Sequence, residues 1–361
     1  MARRFVINGR FLTQPVTGVQ RYGREFLSAL ARILKRDTSV STRFQFEILT
    51  PPVAMPDDHL SPISIRRVGR WTGQLWEQWE LPRFAAGATI LNCANTAPIG
   101  YRNQIVTIHD ASVFAAPDGY SLSFRLWYRT LHRRIAKCAK GVVTDSEFSR
   151  AELERYCGFD PVKCRVIPLG AEHILDTLPD SSILNRLNVS SKKFVLCAGS
   201  LNPNKNLAAL VETANRLRER AYPMVVAGGG NERIFKGASI AFPENVRYAG
   251  YVSDGELRAL YESAACFVFP SRYEGFGLPP LEAMACGCPV VSSNAASLGE
   301  VCGDAALMCD PGRPDEFAQA VLSVIGDQSK STELSAKGRT EAAKFRWEQT
   351  AMLWLALLDS I

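Results

Sequence analysis

The chain has 361 residues, which is too long for a single ordinary domain. Its composition, 47% apolar and 22% charged, excludes a disordered chain. No apolar run approaches the roughly 18–20 residues that cross a bilayer. The apolar stretch after Arg3 and Arg4 is too short for a signal peptide. We therefore expect two domains, each with its own core, in the cytoplasm.

The net charge of +6 comes from the first half of the sequence. Residues 1–180 contain 24 Lys and Arg against 17 Asp and Glu, a balance of +7, whereas the remainder has 18 against 19, a balance of −1. A basic first half suits an anionic partner such as a membrane surface, a lipid phosphate or nucleic acid. Ordinary solubilising charge explains the same excess.

Short runs rich in Val, Ile and Phe alternate with helical patterns along the whole chain. The first half has predicted strands at Phe5–Asn8, Phe46–Leu49, Thr89–Cys93, Ile105–His109, Gly141–Thr144 and Arg165–Pro168. The second half has them at Phe194–Ala198, Met224–Ala227, Val246–Tyr251, Cys266–Pro270, Pro289–Ser292 and Ala306–Cys309. Predicted helices include Asn206–Arg220, Asp254–Ser263, Pro279–Cys286 and Glu348–Leu358. This alternation predicts parallel sheets covered by helices on both faces, with ligands bound at the carboxyl ends of the strands.

The ten cysteines show no C-x-x-C pair, and Cys286 and Cys288 are the closest two. Most lie in apolar surroundings, such as Cys197 between Leu196 and Ala198. We interpret them as buried free thiols in a reducing compartment and expect no metal site.

The strongest motif is the string SRYEGFGLPPLEAMACGCPVV at 271–291. Seven residues separate Glu274 from Glu282, and Gly275 and Gly277 between them let the backbone approach a ligand closely. A glycine loop that leads into a helix offers free N–H groups to an anion, while the carboxylates can bond sugar and ribose hydroxyls. On spacing alone, a solvated face with a capping interaction is an equal alternative.

The whole string closely resembles the E-x7-E signature of family-four retaining glycosyltransferases, which have the GT-B fold. Further segments match in order: GSLNPNKNL at 199–207, GYVSD at 250–254, DSEFSR at 145–150, VIPLG at 166–170, SLGEVCGDAA at 297–306 and FRW at 345–347. The resemblance implies an α/β architecture of two Rossmann-like doubly wound domains that face each other across a cleft. Residues 1–175 would form the acceptor domain and 176–345 the nucleotide-sugar donor domain. The helix in 346–361 would pack back toward the first domain.

The resemblance also assigns roles to individual residues. Lys205 would stabilise the negative charge that gathers on the leaving nucleoside diphosphate, with Glu274 and His109 as the other catalytic candidates. The residues expected to contact the donor are Gly18, Ser200, Val252, Gly275, Phe276, Gly277, Leu278 and Glu282. Relatives commonly carry an Arg beside or shortly before the lysine, and Ser200 and Asn204 occupy those positions here. No metal and no cofactor other than the donor substrate is expected.

His109 and Asp110 end a predicted strand at the edge where ligands bind. The resemblance places His109 near the donor sugar, and a purely structural cap on the strand is the alternative. Retaining enzymes of this family do not clearly require a protein nucleophile. A front-face route, in which the leaving phosphate accepts the acceptor's proton, fits these residues.

The segment Ser121–Lys140 is basic and amphipathic. One face carries Phe124, Trp127, Tyr128, Leu131, Ile135 and Cys138, and other faces carry Arg125, Arg129, Arg133, Lys137 and Lys140. Such a helix can lie on anionic lipid, or it can be a core helix with a solvated basic face.

The G-x-x-x-P-x-K-N form of the loop at 199–206 most resembles bacterial mannosyltransferase-like members of the family that build polysaccharide or O-antigen. The resemblance therefore implies a retaining, metal-independent hexosyltransferase of polysaccharide or O-antigen biosynthesis. The expected donor is GDP-mannose and the acceptor a growing glycan or lipid-linked saccharide, with no nucleic-acid partner. The cytoplasm, including the inner face of the cell membrane, is the expected location. The alternatives are a sugar-phosphate or sucrose-type synthase with a soluble acceptor, and a non-catalytic nucleotide-binding protein of the same fold. A Rossmann oxidoreductase is disfavoured because the dinucleotide fingerprint is missing after the first strand.

Overall fold

The computed structural model of this chain describes residues 2–53, 60–200, 202–229 and 242–361. Its contacts divide the chain into two compact units. The first comprises Met1–Gly170 together with Trp347–Ile361, and the second comprises Ala171–Arg346. The first segment of the first unit thus ends at Gly170, five residues before the domain boundary at residue 175 that the resemblance implies.

The first unit is built on a seven-stranded, wholly parallel sheet with the order β3-β2-β1-β4-β5-β6-β7. Its strands are β1 Arg3–Asn8, β2 Phe44–Thr50, β3 Ser64–Arg67, β4 Thr89–Asn92, β5 Gln104–Thr107, β6 Gly141–Thr144 and β7 Cys164–Val166. The inner strands are apolar because helices cover both faces of the sheet. The prediction missed β3, since this short strand lies at the edge of the sheet and its sequence, SIRR, shows no apolar run.

The helices of the first unit are Gly18–Arg36, Thr38–Arg43, Gly73–Leu75, Leu81–Ala85, Ser112–Ala115, Leu122–Cys138, Glu147–Cys157 and the C-terminal helix Trp347–Asp359. A π-helical turn, Trp76–Glu80, joins two of them, and short 3-10 turns lie at Gly9–Thr13 and Pro117–Gly119. The C-terminal helix packs on Gly18–Arg36, where the indole N–H of Trp354 donates to the Tyr22 hydroxyl at 2.8 Å.

The second unit has a six-stranded parallel sheet with the order β10-β9-β8-β11-β12-β13. Its strands are β8 Val195–Ala198, β9 Met224–Ala227, β10 Val246–Gly250, β11 Cys266–Phe269, β12 Val290–Ser293 and β13 Ala306–Cys309. All six were predicted from their apolar runs. The two sheets have the same relative strand order, so the predicted architecture of two Rossmann-like domains is confirmed.

The helices of the second unit are His173–Asp176, Ser182–Arg186, Leu210–Arg218, Asp254–Ser263, Leu278–Ala285, Leu298–Cys302, Pro314–Gly326 and Gln328–Ala342, with 3-10 turns at Pro203–Lys205, Leu207–Ala209 and Gly303–Ala305. The helix predicted over Asn206–Arg220 therefore begins later than expected. Asn206 has φ +55°, a left-handed conformation that a continuous helix does not tolerate.

All ten cysteines are free thiols, nine of them buried and Cys138 half-buried. Burial raises the pKa of Cys93, Cys197 and Cys288 to about 12, so these thiols stay protonated and unreactive at neutral pH. The prediction of buried free thiols is thus confirmed for nine of the ten. Throughout the described ranges, every helix is either too short or too polar to cross a bilayer.

Candidate functional site

In each sheet the strand order reverses at one point, between β1 and β4 in the first unit and between β8 and β11 in the second. Loops that follow the strands at such a point diverge and leave room for a ligand. In the second unit these loops are 199–206, after β8, and 270–277, after β11. They contain Lys205 and Glu274, so sheet topology brings together two candidates that lie 69 positions apart in the sequence.

The loop after β8 turns sharply at Gly199, whose φ is +153°. Ser200 is exposed, whereas Lys205 is half-buried at the end of the turn Pro203–Lys205. Leu201 belongs to the matched segment but lies outside the described residues. Asn206 is buried, and its side-chain amide donates to the carbonyls of Pro270 at 3.1 Å and Pro311 at 2.9 Å.

The loop after β11 is held by Ser297, whose hydroxyl donates to the carbonyls of Glu274 at 3.0 Å and Phe276 at 2.7 Å. Gly277 has φ +116°, and a Cβ built there would lie 2.7 Å from Leu298 Cδ2. A side chain at this position would therefore be strained in two ways. No local pattern points to this role of Ser297, because its contacts depend on a loop that lies more than 20 residues away.

Asn204 ties the two loops to each other. Its carbonyl accepts hydrogen bonds from the Arg272 N–H at 2.8 Å and the Ser271 hydroxyl at 3.1 Å, and its amide donates to the Tyr273 carbonyl at 3.2 Å. Asn204 therefore holds the two loops together, at a position where the resemblance led us to expect a cation. The result is a fixed spacing between Lys205 and Glu274.

Lys205 Nζ lies 2.5 Å from Glu274 Oε1. The side chains are 18% and 12% exposed, so both charges are largely removed from water yet open to one side. The ammonium also lies 5.6 Å from the centre of the Phe269 ring, close enough for a cation–π contact. Partial burial strengthens the field that such a cation exerts on a bound anion.

The helix Leu278–Ala285 begins directly after the glycine loop, with Pro279 and Pro280 in its first turn. The side chains of Phe276 and Leu278 are buried in the protein, and Phe276 packs edge-on against Phe345 with ring centres 5.7 Å apart. Any contact of these two residues with a ligand would thus involve their backbone. A helix start that follows a glycine loop is a typical position for a phosphate.

Glu282, one turn into this helix, is only 5% exposed and holds two hydrogen bonds within the protein. Its Oε1 lies 3.0 Å from His173 Nε2, and its Oε2 accepts a hydrogen bond of 3.1 Å from the Tyr261 hydroxyl. Each carboxylate oxygen has a second lone pair, so capacity for a ligand hydroxyl is left. His173 and Tyr261 had no assigned role, since neither lies near Glu282 in the sequence.

Val252 is half-buried in the turn between β10 and the helix Asp254–Ser263. Ser253 and Glu256 form a capping box at the start of that helix, with Glu256 Oε2 accepting from the Ser253 N–H at 2.8 Å. The turn follows β10, which is separated from β8 only by β9, so it lies at the same edge of the sheet as Lys205.

In the first unit, Gly18 is the first residue of the helix Gly18–Arg36. Thr17 precedes it as the N-cap, and its N–H donates to Gln20 Oε1 at 3.2 Å. Within the described part of the chain, a Cβ at Gly18 would meet no atom within 4 Å. The helix start is therefore open, and its first turn carries no acidic residue that would repel an anion.

His109 follows β5 and Asp145 follows the neighbouring β6. Both side chains are buried, and His109 Nδ1 lies 2.7 Å from Asp145 Oδ2. Burial alone lowers the pKa of His109, but the charge and hydrogen bond of Asp145 outweigh it and raise the pKa above the ordinary value. Asp145 lies in the segment DSEFSR, which matches the family, but no role could be assigned to it from the sequence. Its contact with His109 becomes apparent only from the pairing of β5 with β6.

Comparison with known proteins agrees with this geometry. Residues 16–173 match the model of Glycosyltransferase Family 4, and residues 183–341 match that of Glycosyl transferases group 1. O-antigen chain mannosyltransferase B of Escherichia coli is 34% identical over 268 residues, which cover 70% of this chain and 68% of that protein. O-antigen chain mannosyltransferase RfbU of Salmonella typhimurium is 24% identical over 333 residues, covering 88% and 90% of the two chains.

Among solved structures, sucrose-phosphate synthase from Thermosynechococcus elongatus superposes with a TM-score of 0.74 over 100% of this chain and 99% of its own. The two sequences are 18% identical. At this identity the likeness shows a shared fold and carries no information on the substrate.

Proposed function

Because this chain belongs to glycosyltransferase family 4, we propose that it moves a hexose from a nucleotide diphosphate sugar to a growing glycan or lipid-linked saccharide. The observation that carries this proposal is the half-buried pair of Lys205 and Glu274, held at the strand-order reversal of the second unit. An ammonium group can bind the diphosphate of a nucleotide sugar, and a neighbouring carboxylate can bind hydroxyls of the sugar.

We assign the binding of the donor's diphosphate to Lys205 and the glycine loop. Negative charge gathers on the leaving diphosphate as the glycosidic bond breaks, and a fixed ammonium stabilises that charge more in the transition state than in the ground state. Backbone N–H groups of Gly275, Phe276 and Gly277 and the following helix start add partial positive charge at the same edge. The open helix start at Gly18 is a second element of the same kind.

We assign the hydrogen bonds of the sugar and ribose hydroxyls to the two glutamates. Glu274 precedes the glycine loop and is assigned to hydroxyls of the transferred sugar. Glu282 is assigned to the ribose, with His173 and Tyr261 holding its carboxylate in one orientation. Val252 is assigned to the base, in the turn after β10, and Ser200 to the phosphate region.

Two further features of the reaction follow from the residue types. We infer retention of anomeric configuration by a front-face route, in which the leaving phosphate oxygen accepts the proton of the acceptor hydroxyl while the new glycosidic bond forms. We also infer that no divalent ion is needed, since Lys205 supplies the positive charge that a metal provides in other transferases.

Mannose is the proposed sugar and GDP-mannose the proposed donor. The support comes from the two relatives, both O-antigen chain mannosyltransferases by name. A role in O-antigen or related polysaccharide synthesis is the matching biological context.

The test is consumption of nucleotide sugars by the purified chain, with and without EDTA. We expect release of GDP from GDP-mannose, by transfer or slow hydrolysis, at a rate that excess chelator leaves largely unchanged. UDP-glucose, ADP-glucose and GDP-fucose serve as matched donors that differ in base or sugar. Release from a different donor would refute the assignment of GDP-mannose. Activity that EDTA abolishes and Mn²⁺ restores would refute metal independence.

We propose in addition that the helix Leu122–Cys138 contacts an anionic membrane. Leu131 and Ile135 are buried in the first unit, but Leu122 and Leu126 are 78% and 71% exposed. They lie on one stripe with the exposed basic residues Arg133 and Lys137, the exposed Arg134 flanks that stripe, and the helix contains no Asp or Glu. Exposed leucines followed by cations fit the acyl chains and phosphates of a lipid surface.

Vesicle flotation tests this contact. We expect binding to vesicles rich in phosphatidylglycerol and none to pure phosphatidylcholine. Replacing Arg134 and Lys137 with serine should weaken binding roughly thirtyfold, because each cation near an anionic surface contributes about 1 kcal/mol. Leu178→Ser serves as a control at an exposed site away from the helix, since this leucine is 85% exposed but lies between Asp176 and Asp180, and it should bind as the wild type does. Equal binding by all variants would refute the proposal.

A further inference from the structure

The strand-order reversal of the first sheet, between β1 and β4, carries a buried ion pair that the donor assignments leave unused. Arg10 follows β1, and its Nε donates to Glu77 Oε1 at 3.1 Å while its Nη2 donates to the Thr96 hydroxyl, after β4, at 2.8 Å. Glu77 Oε1 also accepts from Asn8 Nδ2 at 2.7 Å and from the Thr96 hydroxyl at 2.8 Å. The guanidinium is thus fixed in one orientation at an edge where parallel sheets bind ligands.

The guanidinium of Arg10 keeps hydrogen-bond donors that the protein does not use. Its Nη1 makes no hydrogen bond with the residues that the structure describes, and it is not one of the atoms closed off from solvent. The side chain is 10% exposed. Because the Glu77 carboxylate offsets its charge, this edge offers donors with little net charge. Such donors suit the hydroxyls of a neutral ligand better than a phosphate, which binds where positive charge is in excess.

A row of three aromatic rings lies at the start of the helix Leu122–Cys138. The ring of Phe124 stacks on Tyr128 with centres 4.2 Å apart and on Tyr120 with centres 5.1 Å apart. Phe124 is exposed and Tyr128 is half-buried, so part of this aromatic surface faces solvent. An exposed aromatic face suits the C–H face of a sugar ring, which is apolar.

Tyr128 connects the aromatic row to the ion pair. Its ring meets His132 edge-on with centres 5.7 Å apart, and His132 Nε2 lies 3.2 Å from the carbonyl of Asn95, which directly precedes the threonine that binds Arg10. Burial raises the pKa of the Tyr128 phenol, and the nearby charges of Arg10 and Glu77 lower and raise it in turn. Among the described residues its hydroxyl has no hydrogen-bond partner, and it stays accessible to solvent.

We propose that Arg10, Tyr128 and Phe124 form a saccharide-binding site that holds a pyranose ring of the acceptor glycan. The guanidinium and the phenol donate to hydroxyls of the ring, and Phe124 packs against its C–H face. All three residues belong to the first unit, so the site is built within that unit alone. Aromatic walls with a few fixed polar groups are the usual composition of a small-ligand site. The inference rests on the proposed function for the role of the saccharide as acceptor.

A ligand-observed NMR titration of the full chain with α-linked mannotriose, in the presence of excess GDP, tests the site. We expect Tyr128→Phe to weaken binding about 2–10-fold, as for a neutral hydrogen bond, and Arg10→Lys about 10–100-fold, as for a bond from a charged group. Tyr128→Phe removes a hydroxyl without a partner in the described chain, so its thermal unfolding midpoint should match that of the wild type. Tyr222→Phe is the matched control, because its hydroxyl donates to the Lys192 carbonyl in the second unit, and it should bind as the wild type does.

The absence of mannotriose binding to the wild type would overturn the inference, and so would equal binding by Tyr128→Phe. Displacement of mannotriose by inorganic phosphate would overturn it as well, since the site would then bind an anion. If mannotriose binds as expected but no nucleotide sugar is consumed, the proposed function fails, and with it the role of the saccharide as acceptor, while the binding site remains. If a nucleotide sugar is consumed but no variant changes mannotriose binding, the inference alone fails.

Discussion

Lys205→Ala is expected to lower turnover by roughly 10²–10³, the cost of removing a main electrostatic stabiliser of a leaving group. The lysine lies at the strand-order reversal of the second sheet, next to the glycine loop 270–277, to which we assign the binding of the diphosphate. Because the side chain is partly buried, its charge interacts more strongly with a bound anion than the charge of a surface lysine would. Steady-state rates of donor consumption at saturating donor measure the effect.

Two controls separate this loss from a general disturbance. Lys337 pairs with Glu333 at 2.6 Å on an exposed helix, so Lys337→Ala removes a similar ion pair and should retain wild-type turnover. Lys205→Ala also leaves the Glu274 carboxylate half-buried without its counter-charge. A thermal unfolding midpoint of Lys205→Ala close to that of the wild type would show that this unpaired charge has not disturbed the fold. Near-wild-type kinetics in a folded Lys205→Ala variant would contradict the assignment.

The second large effect concerns the two glutamates, whose roles should separate. A carboxylate–hydroxyl hydrogen bond is worth about 1.5–3 kcal/mol, or roughly 10–150-fold in affinity. Glu282→Gln should weaken binding of both the nucleotide sugar and the bare nucleoside diphosphate by such a factor. Glu274→Gln should hardly change nucleoside diphosphate binding but should impair transfer and discrimination between sugar epimers. Calorimetry with both ligands on both variants makes the comparison.

The contacts of Glu282 require one further control. Because His173 and Tyr261 hold its carboxylate inside the protein, Glu282→Gln changes internal hydrogen bonds as well as a ligand contact. Tyr261→Phe removes one of those bonds and leaves the carboxylate in place, so it should lower thermal stability with a smaller loss of affinity. If Glu274→Gln loses nucleoside diphosphate affinity as much as Glu282→Gln does, the proposed division of roles is wrong.

Much of the fold could be predicted from local patterns. Near-continuous apolar runs such as Cys266–Phe269 occur because helices cover both faces of a parallel sheet. Burial on both faces requires apolar residues at successive positions, so the residue types alone reveal such strands. The sequence marked Gly277 only as a place where the backbone can approach a ligand, whereas its left-handed φ and its close contact with Leu298, which leave room for glycine alone, are seen in the structure. By contrast, β3 was missed, because an exposed edge strand needs no apolar run.

The sequence by itself thus determined the parallel sheets, the glycine loop and the residue types that can serve a sugar diphosphate. Only the tertiary structure decided which of them meet. Lys205 and Glu274 are 69 positions apart, His109 and Asp145 are 36 apart, and His173 and Glu282 are 109 apart. Hydrophobic periodicity specifies that a segment is a strand, but the order of strands is set by how helices and crossovers pack. That order brings the carboxyl ends of β8 and β11, and of β5 and β6, side by side, and with them the charges that no local pattern connects.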